Sequence, residues 1–515
     1  MPARSLPSAA EASAADLRPL WLAAAILVAL TAVRLLALRV SAVDLFFDES
    51  QYWAWSREPA LGYFSKPPLL AWLIAATERV CGPSEACIRA PAPLMALATA
   101  LFAGAAGRTL YDARTGLWAA LITAFGTGAV FSARIVSTDG PMVMFSALAL
   151  FAHARLLKRP DRRFAALLGF AVGAGLLAKY AMVYFLAGAV LAAALEPHAR
   201  APHLRRDLAL ALAVALLVAS PNLAWNAAHG FLTFRHAAGN VSGEAIEPSL
   251  VRPLEFLAAQ FAVLGPAVFA VAVAALAGFA AGRLRRSADG AGDALWPQDI
   301  ILLAFAAPAL AAVTATASVV HAYANWAAIS FVPLAVLAAA ILLRRRFTAV
   351  LWASLALGVA AQAALIAGDA APDRIRLPFL RHPNPYFRTL GWRGYGRAAG
   401  ELAGRLDIPV IASDTRAEVA SLLYYWRDRR ERILAWPTSD DLPAFETTRG
   451  LAAASSGRVL FVTQCGDRER LEQYYARVTL LGVVVPDDPV PRAFTAFVLE
   501  DPRGPLAPLA PCPPR

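Results

Sequence analysis

The chain has 515 residues, of which 58% are hydrophobic and 17% are charged, and its mean hydropathy is +0.52. A soluble protein of this length could not bury so much apolar surface, so the composition excludes a soluble globular protein and indicates a polytopic membrane protein. The net charge of +11 does not indicate nucleic-acid binding, because the basic residues are spread over short connections rather than gathered on one soluble face.

The predicted elements begin with a polar segment, residues 1–15, which is expected to be disordered. About eleven apolar stretches follow, within a range of nine to thirteen, each near the length that crosses roughly 30 Å of hydrocarbon. They lie at residues 20–40, 88–107, 116–133, 140–157, 164–178, 180–195, 207–224, 253–282, 298–318, 326–343 and 347–368. The first stretch is interpreted as a retained helix, because it is long and has no clear cleavage site.

The connections between these stretches differ in charge. "LLKRPDRR", "GRLRRS" and "LLRRRF" are rich in Arg, whereas "DESQYWAW", "STDGP" and "ANW" carry few basic residues. The positive-inside rule therefore predicts a cytoplasmic N-terminus and places the chemically mixed loops on the outer side.

The region after residue 370 changes in character. "PVIAS" and "RVLFVTQ" are predicted strands, while "AEVASLLYYWRDR" and "DRERLEQYYARV" have helical spacing, an alternation typical of a small α/β domain. The predicted organisation is a disordered tail (1–15), a transmembrane domain (16–370) with an external loop (41–87), a linker (371–395), a periplasmic α/β domain (396–503) and a second disordered tail (504–515).

The external loop contains "FFDESQYWAWSREPALGYFSKPPLLAWLI", residues 46–74, which mixes charged and aromatic side chains between two apolar stretches. A charged residue at a membrane boundary costs a few kcal/mol unless it faces a cavity or a partner, so this loop is a candidate functional site. From the residues alone, Asp48 has two interpretations. It is either the N-cap of an interfacial helix whose rings lie in the aromatic belt, or a catalytic carboxylate.

Two cysteines, Cys81 and Cys87, flank "GPSE" in the same loop. An oxidising compartment would permit a disulfide between them, but the spacing is equally compatible with two free thiols.

Six segments carry a resemblance to a known family: the loop above, "CIRAPAPLMALATALF", "SARIVSTDGPMVMFSALALF", "GFAVGAGLLAKYAMVYFLAG", "SPNLAWNAAHGFLTFRH" and "ANWAAISFVPLAVL". Together they resemble the GT-C superfamily of lipid-dependent glycosyltransferases, in particular the family 39-like bacterial proteins related to protein mannosyltransferases and lipid A aminoarabinose transferases. The resemblance covers most of residues 40–345. It implies a GT-C-like fold and an inverting transfer of a sugar from a polyprenyl phosphate.

The resemblance assigns roles to the charged residues of the loop. Asp48 matches the base that takes the proton of the acceptor hydroxyl, a role worth roughly 10²–10⁴ in rate. Because adjacent side chains normally point apart, Glu49 is expected only to support it, by orienting Asp48 or a substrate hydroxyl. Lys66 matches the basic residue that holds the donor phosphate, although a lysine extended along a membrane-surface turn would look the same. Relatives carry an acid immediately before this lysine where the present chain has Ser65, so a metal-binding role of that acid does not carry over.

Two further charged residues belong to the predicted site. Asp139 in "STDGPM" matches a second catalytic acid of the family, and the alternative is that Thr138 or Asp139 caps the helix. Lys179, at the end of a Gly-rich helix, is predicted to be a second contact to the donor phosphate or, alternatively, a lysine that only reaches the membrane surface. The remaining substrate-binding candidates are polar or aromatic residues of the outer loops: Tyr52, Tyr63, Trp225, Asn226, His229 and Asn325.

No zinc-type cysteine spacing, nucleotide loop or dinucleotide fingerprint occurs in the sequence. No cofactor is therefore required, no metal site is predicted, and dependence on a divalent cation is left open. The expected partners are a polyprenyl-phosphate sugar donor, a glycolipid, glycan or protein acceptor, and membrane lipids, but not nucleic acid. The expected location is the bacterial inner membrane, with the active site and the C-terminal domain facing the periplasm.

The alternative class is a polytopic transporter or lipid flippase. Transporters tend to place ionisable residues in the middle of broken helices and to repeat one half of the chain in the other. In this sequence the acids and Lys66 lie at the outer ends of predicted helices, and the second half does not repeat the first. A glycosyltransferase is therefore the favoured prediction.

Overall fold

The computed structural model describes residues 18–200, 202–242, 247–285, 295–428, 432–437, 445, 449–452 and 457–509. The predicted tail at 1–15 and the part of the second tail from 510 onward lie outside these residues. The chain divides into two compact units. The first unit is Met1–Arg39, Lys66–Leu70 and Arg89–Leu365, and the second is Val40–Ser65, Ala71–Ile88 and Ile366–Arg515.

Most of the described chain is helical. The α-helices are α1 (Arg18–Val40), α2 (Phe47–Arg57), α3 (Leu69–Cys81), α4 (Glu85–Arg89), α5 (Pro91–Leu110), α6 (Ala113–Phe125), α7 (Thr127–Ser132), α8 (Asp139–Lys158), α9 (Arg162–Ala178), α10 (Val183–Leu195), α11 (Pro202–Ala228), α12 (Leu232–Ser242), α13 (Val251–Val263), α14 (Pro266–Arg285), α15 (Pro297–Ala317), α16 (Phe331–Arg344), α17 (Thr348–Ala370), α18 (Trp392–Arg405), α19 (Arg416–Tyr425) and α20 (Glu469–Glu472). Short 3₁₀ helices span Tyr180–Met182, Pro197–Arg200, Ala324–Ser330 and Pro372–Arg374.

Seven of the described helical segments are long and apolar enough to cross a membrane: Trp21–Val40, Glu85–Leu110, Asp139–Lys158, Arg205–Ala228, Pro297–Ala317, Ala324–Arg344 and Thr348–Ala370. Two shorter apolar helices span Tyr180–Leu195 and Pro266–Gly282. The prediction of a polytopic helical membrane protein is confirmed, whereas the predicted number of about eleven spans is not.

The difference arises partly because some apolar stretches are broken. The predicted stretch 116–133 is divided at Gly126, whose ψ of 139° lies outside the helical range and separates α6 from α7. A Cβ at Gly126 would lie 2.6 Å from the ring of Phe331, so the break depends on the close approach that glycine allows. A prediction from hydropathy summed along the sequence does not detect such a break between two helices.

Small residues let the helices of the first unit pack closely. Ala100, Ala103 and Ala106 of α5 are fully buried, as expected where backbones approach one another in a membrane protein. On α9, a Cβ at Gly173 would lie 2.7 Å from Val218 of α11. This close packing fixes the end of α9, where Lys179 follows.

The second unit contains a five-stranded sheet made of β1 (Val410–Ser413), β2 (Arg432–Ala435), β3 (Val459–Thr463), β4 (Tyr475–Val484) and β5 (Phe494–Pro502). The strand order is β2-β1-β3-β5-β4. β2, β1 and β3 are parallel, and β5 and β4 pair antiparallel at the other side. A C-terminal α/β domain was predicted and is confirmed.

One predicted element of this domain is wrong. "DRERLEQYYARV" was expected to be a helix, but α20 ends at Glu472 and β4 begins at Tyr475. Tyr475 pairs with Pro502 and Arg477 with Glu500 of β5, so a distant strand overrides the local helical periodicity.

The external loop, apart from Lys66–Leu70, belongs to the second unit and is joined to the C-terminal region by charges. Arg393 of α18 lies 3.3 Å from Asp44 and 2.8 Å from Glu85 of the loop. The hydroxyl of Tyr425 donates to Glu85 at 2.8 Å and accepts the backbone N–H of Leu45 at 2.7 Å. Burial raises the pKa of Asp44 to about 6, an effect that Arg393 opposes.

A disulfide closes the other end of the loop. Cys81 and Cys87 are bonded, which settles the two interpretations of their spacing. The bond joins the end of α3 to α4 and stabilises this short turn chiefly by restricting the unfolded chain.

Candidate functional site

Asp48 lies in the first turn of α2, but it is not the residue that caps the helix. The N-cap position is Phe46, and the carboxylate of the buried Glu49 accepts the backbone N–H of Phe46 at 3.0 Å. The interpretation of Asp48 as an N-cap is therefore wrong, and Glu49, at the third helical position, bonds the backbone of the N-cap residue instead. The Asp48 side chain is 35% exposed and lies beside a cation instead.

That cation is Arg416, at the start of α19 in the sheet domain. Its Nη2 lies 2.9 Å from Oδ1 of Asp48, and its Nη1 donates to the side-chain oxygen of Gln51 at 2.6 Å. The guanidinium also lies 5.0 Å from the centre of the Phe47 ring. Three contacts on one helix therefore fix Arg416 next to the predicted base.

Arg416 was not predicted from the sequence. It comes immediately after Thr415, whose side-chain oxygen accepts the backbone N–H of Glu418 and caps α19. An arginine at the start of a soluble helix carries no local signal for a partner in a loop near the other end of the chain.

The two predicted tyrosines of the loop are buried within it. The Tyr63 hydroxyl lies 2.9 Å from the carbonyl oxygen of Trp55 and accepts the backbone N–H of Ala60 at 3.2 Å. Its ring stacks on Trp55 at 4.7 Å, and burial raises the pKa of Tyr63 to about 12. Tyr52 is also buried, 5.7 Å from Trp55 between ring centres. These contacts hold the loop in shape, and substrate contact by either tyrosine stays a prediction.

Asp139, Lys179 and Asn325 meet in the first unit. Lys179 Nζ lies 2.7 Å from Oδ1 of Asp139, and the Asn325 amide donates to Oδ2 at 2.8 Å. The three residues come from the first turn of α8, the end of α9 and the 3₁₀ helix before α16. Thr138, at the N-cap position of α8, makes no capping hydrogen bond. The Asp139 carboxylate forms the ion pair with Lys179.

A cavity of about 210 Å³ opens beside this cluster, with Asp139 and Asn325 among its lining residues. Its other walls are mostly apolar and come from α5, α7 and α8, with Ala96, Ala129 and Val143 as examples. The cavity therefore offers a carboxylate and an amide within an apolar enclosure, a combination that suits a ligand with a polar head and an apolar body.

The predicted residues near the end of α11 form a separate polar cluster. The Tyr180 hydroxyl donates to Asn222 at 2.8 Å, and Asn226, which is fully buried, donates to the Tyr180 oxygen at 3.0 Å. Trp225 and His229 stack at 4.1 Å between ring centres. The Asn226 contacts join α11 to the segment after Lys179, so this asparagine helps to hold that segment in place.

Lys66 follows the buried Ser65 and precedes Pro67, Pro68 and the start of α3. Its side chain is half-buried and belongs to the first unit, whereas Asp48 belongs to the second. Among the described residues, no group of three or more His, Cys, Asp or Glu side chains is placed to hold a metal ion.

The family model and the relatives that match the chain all describe glycosyltransferases. Residues 65–225 match the family described as dolichyl-phosphate-mannose-protein mannosyltransferase. The lipid A galacturonosyltransferase RgtD of Rhizobium johnstonii is 33% identical over 440 residues, which cover 85% of the chain and 90% of RgtD. The lipopolysaccharide core galacturonosyltransferase RgtA of the same organism is 29% identical over 186 residues, 35% of the chain and 37% of RgtA.

Solved structures share the fold. ArnT of Cupriavidus metallidurans bound to undecaprenyl phosphate superposes with a TM-score of 0.63 at 14% identity, over 93% of the chain and 98% of ArnT. The apo form of the same protein gives a TM-score of 0.62 over 92% of the chain and 97% of ArnT. The likeness extends over both the helical part and the sheet domain, since it covers almost the whole chain.

Proposed function

Because the chain belongs to the GT-C superfamily of membrane glycosyltransferases, in the family that includes lipid A galacturonosyltransferase RgtD, we propose that it transfers galacturonic acid from a polyprenyl-phosphate donor to a lipid A-type glycolipid. The relationship to RgtD along 90% of that protein carries the proposal. The arrangement of Asp139, Lys179 and Asn325 beside an apolar cavity supports it, because such a donor has a polar head and a long apolar chain.

The proposed reaction is a single displacement with inversion. The acceptor hydroxyl oxygen attacks the anomeric carbon of the donor sugar while the bond from that carbon to the phosphate oxygen breaks. The Asp48 carboxylate takes the hydroxyl proton, and the polyprenyl phosphate leaves as a monoester. Arg416, 2.9 Å from Asp48, orients the carboxylate during this step.

The leaving phosphate gains negative charge as the bond breaks. A fixed cation lowers the energy of that charge in the transition state, and Lys66, held before two prolines, has this role in the proposal. Lys179 is balanced by Asp139 at 2.7 Å, so the two act as a pair. We assign that pair, with Asn325, to the hydroxyl groups and phosphate of the donor head.

The proposed location is the inner membrane of a bacterium, with the active site and the sheet domain in the periplasm. The Arg-rich connections on the opposite side of the predicted helices support this orientation. An oxidising periplasm is also compatible with the disulfide in the external loop.

The decisive experiment is a transfer assay with purified full-length protein, radiolabelled polyprenyl-phosphate galacturonic acid and lipid A. Replacement Asp48→Asn is expected to reduce transfer by roughly 10²–10⁴. The matched control is Asp487→Asn, which makes the same chemical change at an exposed residue of the second unit. Unchanged transfer by Asp48→Asn would remove the base from the mechanism, and no transfer by the wild type from any polyprenyl-phosphate sugar would refute the function.

A further inference from the structure

A second cavity, of about 430 Å³, lies within the second unit and is not used by the reaction described above. It is bordered by α2, by the end of α19 and by β2, and is here called the arginine basin. Its charged and aromatic lining consists of Arg57, Arg427, Arg432, Arg449, Trp53 and Trp426.

Two of the four arginines form close ion pairs with carboxylates. Arg57 Nη1 lies 3.2 Å from Glu78, and its side chain is 60% exposed. Arg449 pairs with Glu58, and both side chains are partly exposed. These pairs fix the positions of the two guanidinium groups while leaving part of each accessible.

Among the described residues, the other two arginines have one distant carboxylate between them and so leave an excess of positive charge. Arg427 lies 3.8 Å from Asp428, a side chain that is 84% exposed, and its guanidinium is held over the Tyr424 ring at 4.6 Å. Its buried Nε–H has no hydrogen-bond partner among the described residues. Arg432 is exposed, and no carboxylate of the described residues lies within ion-pair distance of it. A buried donor and a surplus cation in one cavity are the features that an oxyanion satisfies.

The distance along α2 limits which anion this is. Asp48 lies in the first turn and Arg57 is the last residue, so the two are separated by about 14 Å along a helix that rises about 1.5 Å per residue. The donor phosphate is bonded to the carbon that reacts, on the face opposite the attacking oxygen, so it must lie close to that carbon and to the base. The basin is too far along the helix for that phosphate, and it suits an anion on a more distant part of the acceptor.

We propose that the arginine basin binds a phosphate or carboxylate group of the acceptor glycan and so positions the acceptor hydroxyl for transfer. This inference rests on the proposed function for its acceptor. The planar guanidinium groups match either oxyanion through paired hydrogen bonds, and the indole rings of Trp53 and Trp426 offer faces on which sugar rings stack.

The test compares Arg432→Gln and the double variant Arg57→Gln/Arg432→Gln with the control Arg405→Gln, an exposed arginine at the end of α18. Acceptor KM, donor KM and kcat are measured in the transfer assay with lipid A, with dephosphorylated lipid A and with carboxyl-reduced acceptor glycolipid. We expect acceptor KM to rise about tenfold for Arg432→Gln and further for the double variant, with donor KM and kcat unchanged. For the acceptor form that lacks the recognised anion, the acceptor KM should be the same in the wild type and the variants. The form that behaves in this way shows whether the basin binds the phosphate or the carboxylate.

A binding measurement separates this inference from the proposed function. Lipid A binding to the detergent-solubilised protein is followed without donor by thermophoresis, and Arg432→Gln is expected to weaken it about tenfold while Arg405→Gln does not. Weakened binding without any sugar transfer by the wild type would support the basin and refute the function. Transfer by the wild type with unchanged acceptor KM and binding in both basin variants would overturn the basin alone.

Discussion

Replacement of Glu418 by glutamine is expected to remove a pH-dependent part of the stability of the sheet domain. Glu418 lies in α19, is 1% exposed, and contacts the Ser413 hydroxyl. Burial, and next the neighbouring Asp414, raise the pKa of Glu418 from an ordinary value of 4.5 to about 8, while hydrogen bonds from Ser413 and Thr415 oppose the rise. Glutamine keeps the shape and a hydrogen-bonding oxygen but does not titrate.

The direction of the pH dependence follows from the protonation of Glu418 in the folded and the unfolded state. Near neutral pH the folded domain holds Glu418 protonated, whereas the unfolded chain releases that proton above pH 4.5. The stabilisation is therefore complete below pH 4.5, declines between pH 4.5 and 8, and is lost above pH 8. A slope of about 1.4 kcal/mol per pH unit gives a loss of about 3 kcal/mol between pH 5.5 and 7.5.

The assay is thermal unfolding of the full-length protein in detergent, followed by tryptophan fluorescence at pH 5.5, 6.5 and 7.5. The melting temperature of the wild type should fall relative to Glu418→Gln over this range, since about 3 kcal/mol corresponds to roughly 6–12 °C for a folding unit of roughly 150–250 residues, the size range of the second unit. Glu401→Gln, on the exposed surface of α18, makes the same change without burial and should follow the wild type. Parallel curves for the wild type and Glu418→Gln would refute the reasoning.

Three further predictions concern the site and its support. Lys179→Met leaves Asp139 largely buried without its cation, so it should lower sugar transfer at least tenfold and the free energy of unfolding by about 3–5 kcal/mol. Lys179→Arg should retain most of the transfer and of the stability. An unaltered melting temperature in the Met variant would contradict this. Arg416→Gln should reduce kcat about tenfold at unchanged donor KM, with partial recovery in Arg416→Lys, because the guanidinium orients Asp48; unchanged kcat in the transfer assay would rule out that role. Replacing both cysteines of the external-loop disulfide by serine should cost about 2 kcal/mol, measured without reductant as a lower melting temperature than that of the wild type. Equal stability of the oxidised wild type and the variant would count against a stabilising bond.

The sequence predicted the class of fold, and it selected candidate site residues, because both depend on local patterns. Long apolar stretches identify membrane helices, and Asp139 and Lys179 stood out because charged residues at the ends of such helices are costly. The structure brings these two together with Asn325, another residue chosen from the sequence. Their meeting point could not be predicted, since it depends on how α8, α9 and the 3₁₀ helix pack.

Other features depend on contacts that no local pattern reports. One of the two interpretations of Asp48 made it the N-cap of α2, but the N-cap position is Phe46, whose backbone N–H is bonded by Glu49 three residues later. Arg416 was missed because its partner Asp48 lies in a loop of the N-terminal part of the chain. In each case the sequence contained the right residue types, and the pairing was decided by tertiary structure.

The pairing of Asp48 with Arg416 has a consequence for the order in which the enzyme is completed during synthesis. The arginine is translated 368 residues after the aspartate (416 − 48 = 368). At typical elongation speeds of 5–20 residues per second, the ribosome needs roughly 20–70 s to cover that interval. A nascent chain halted after its last apolar helix would carry the carboxylate but not the guanidinium, so premature termination yields an inserted polypeptide in which Asp48, the proposed base, still lacks Arg416.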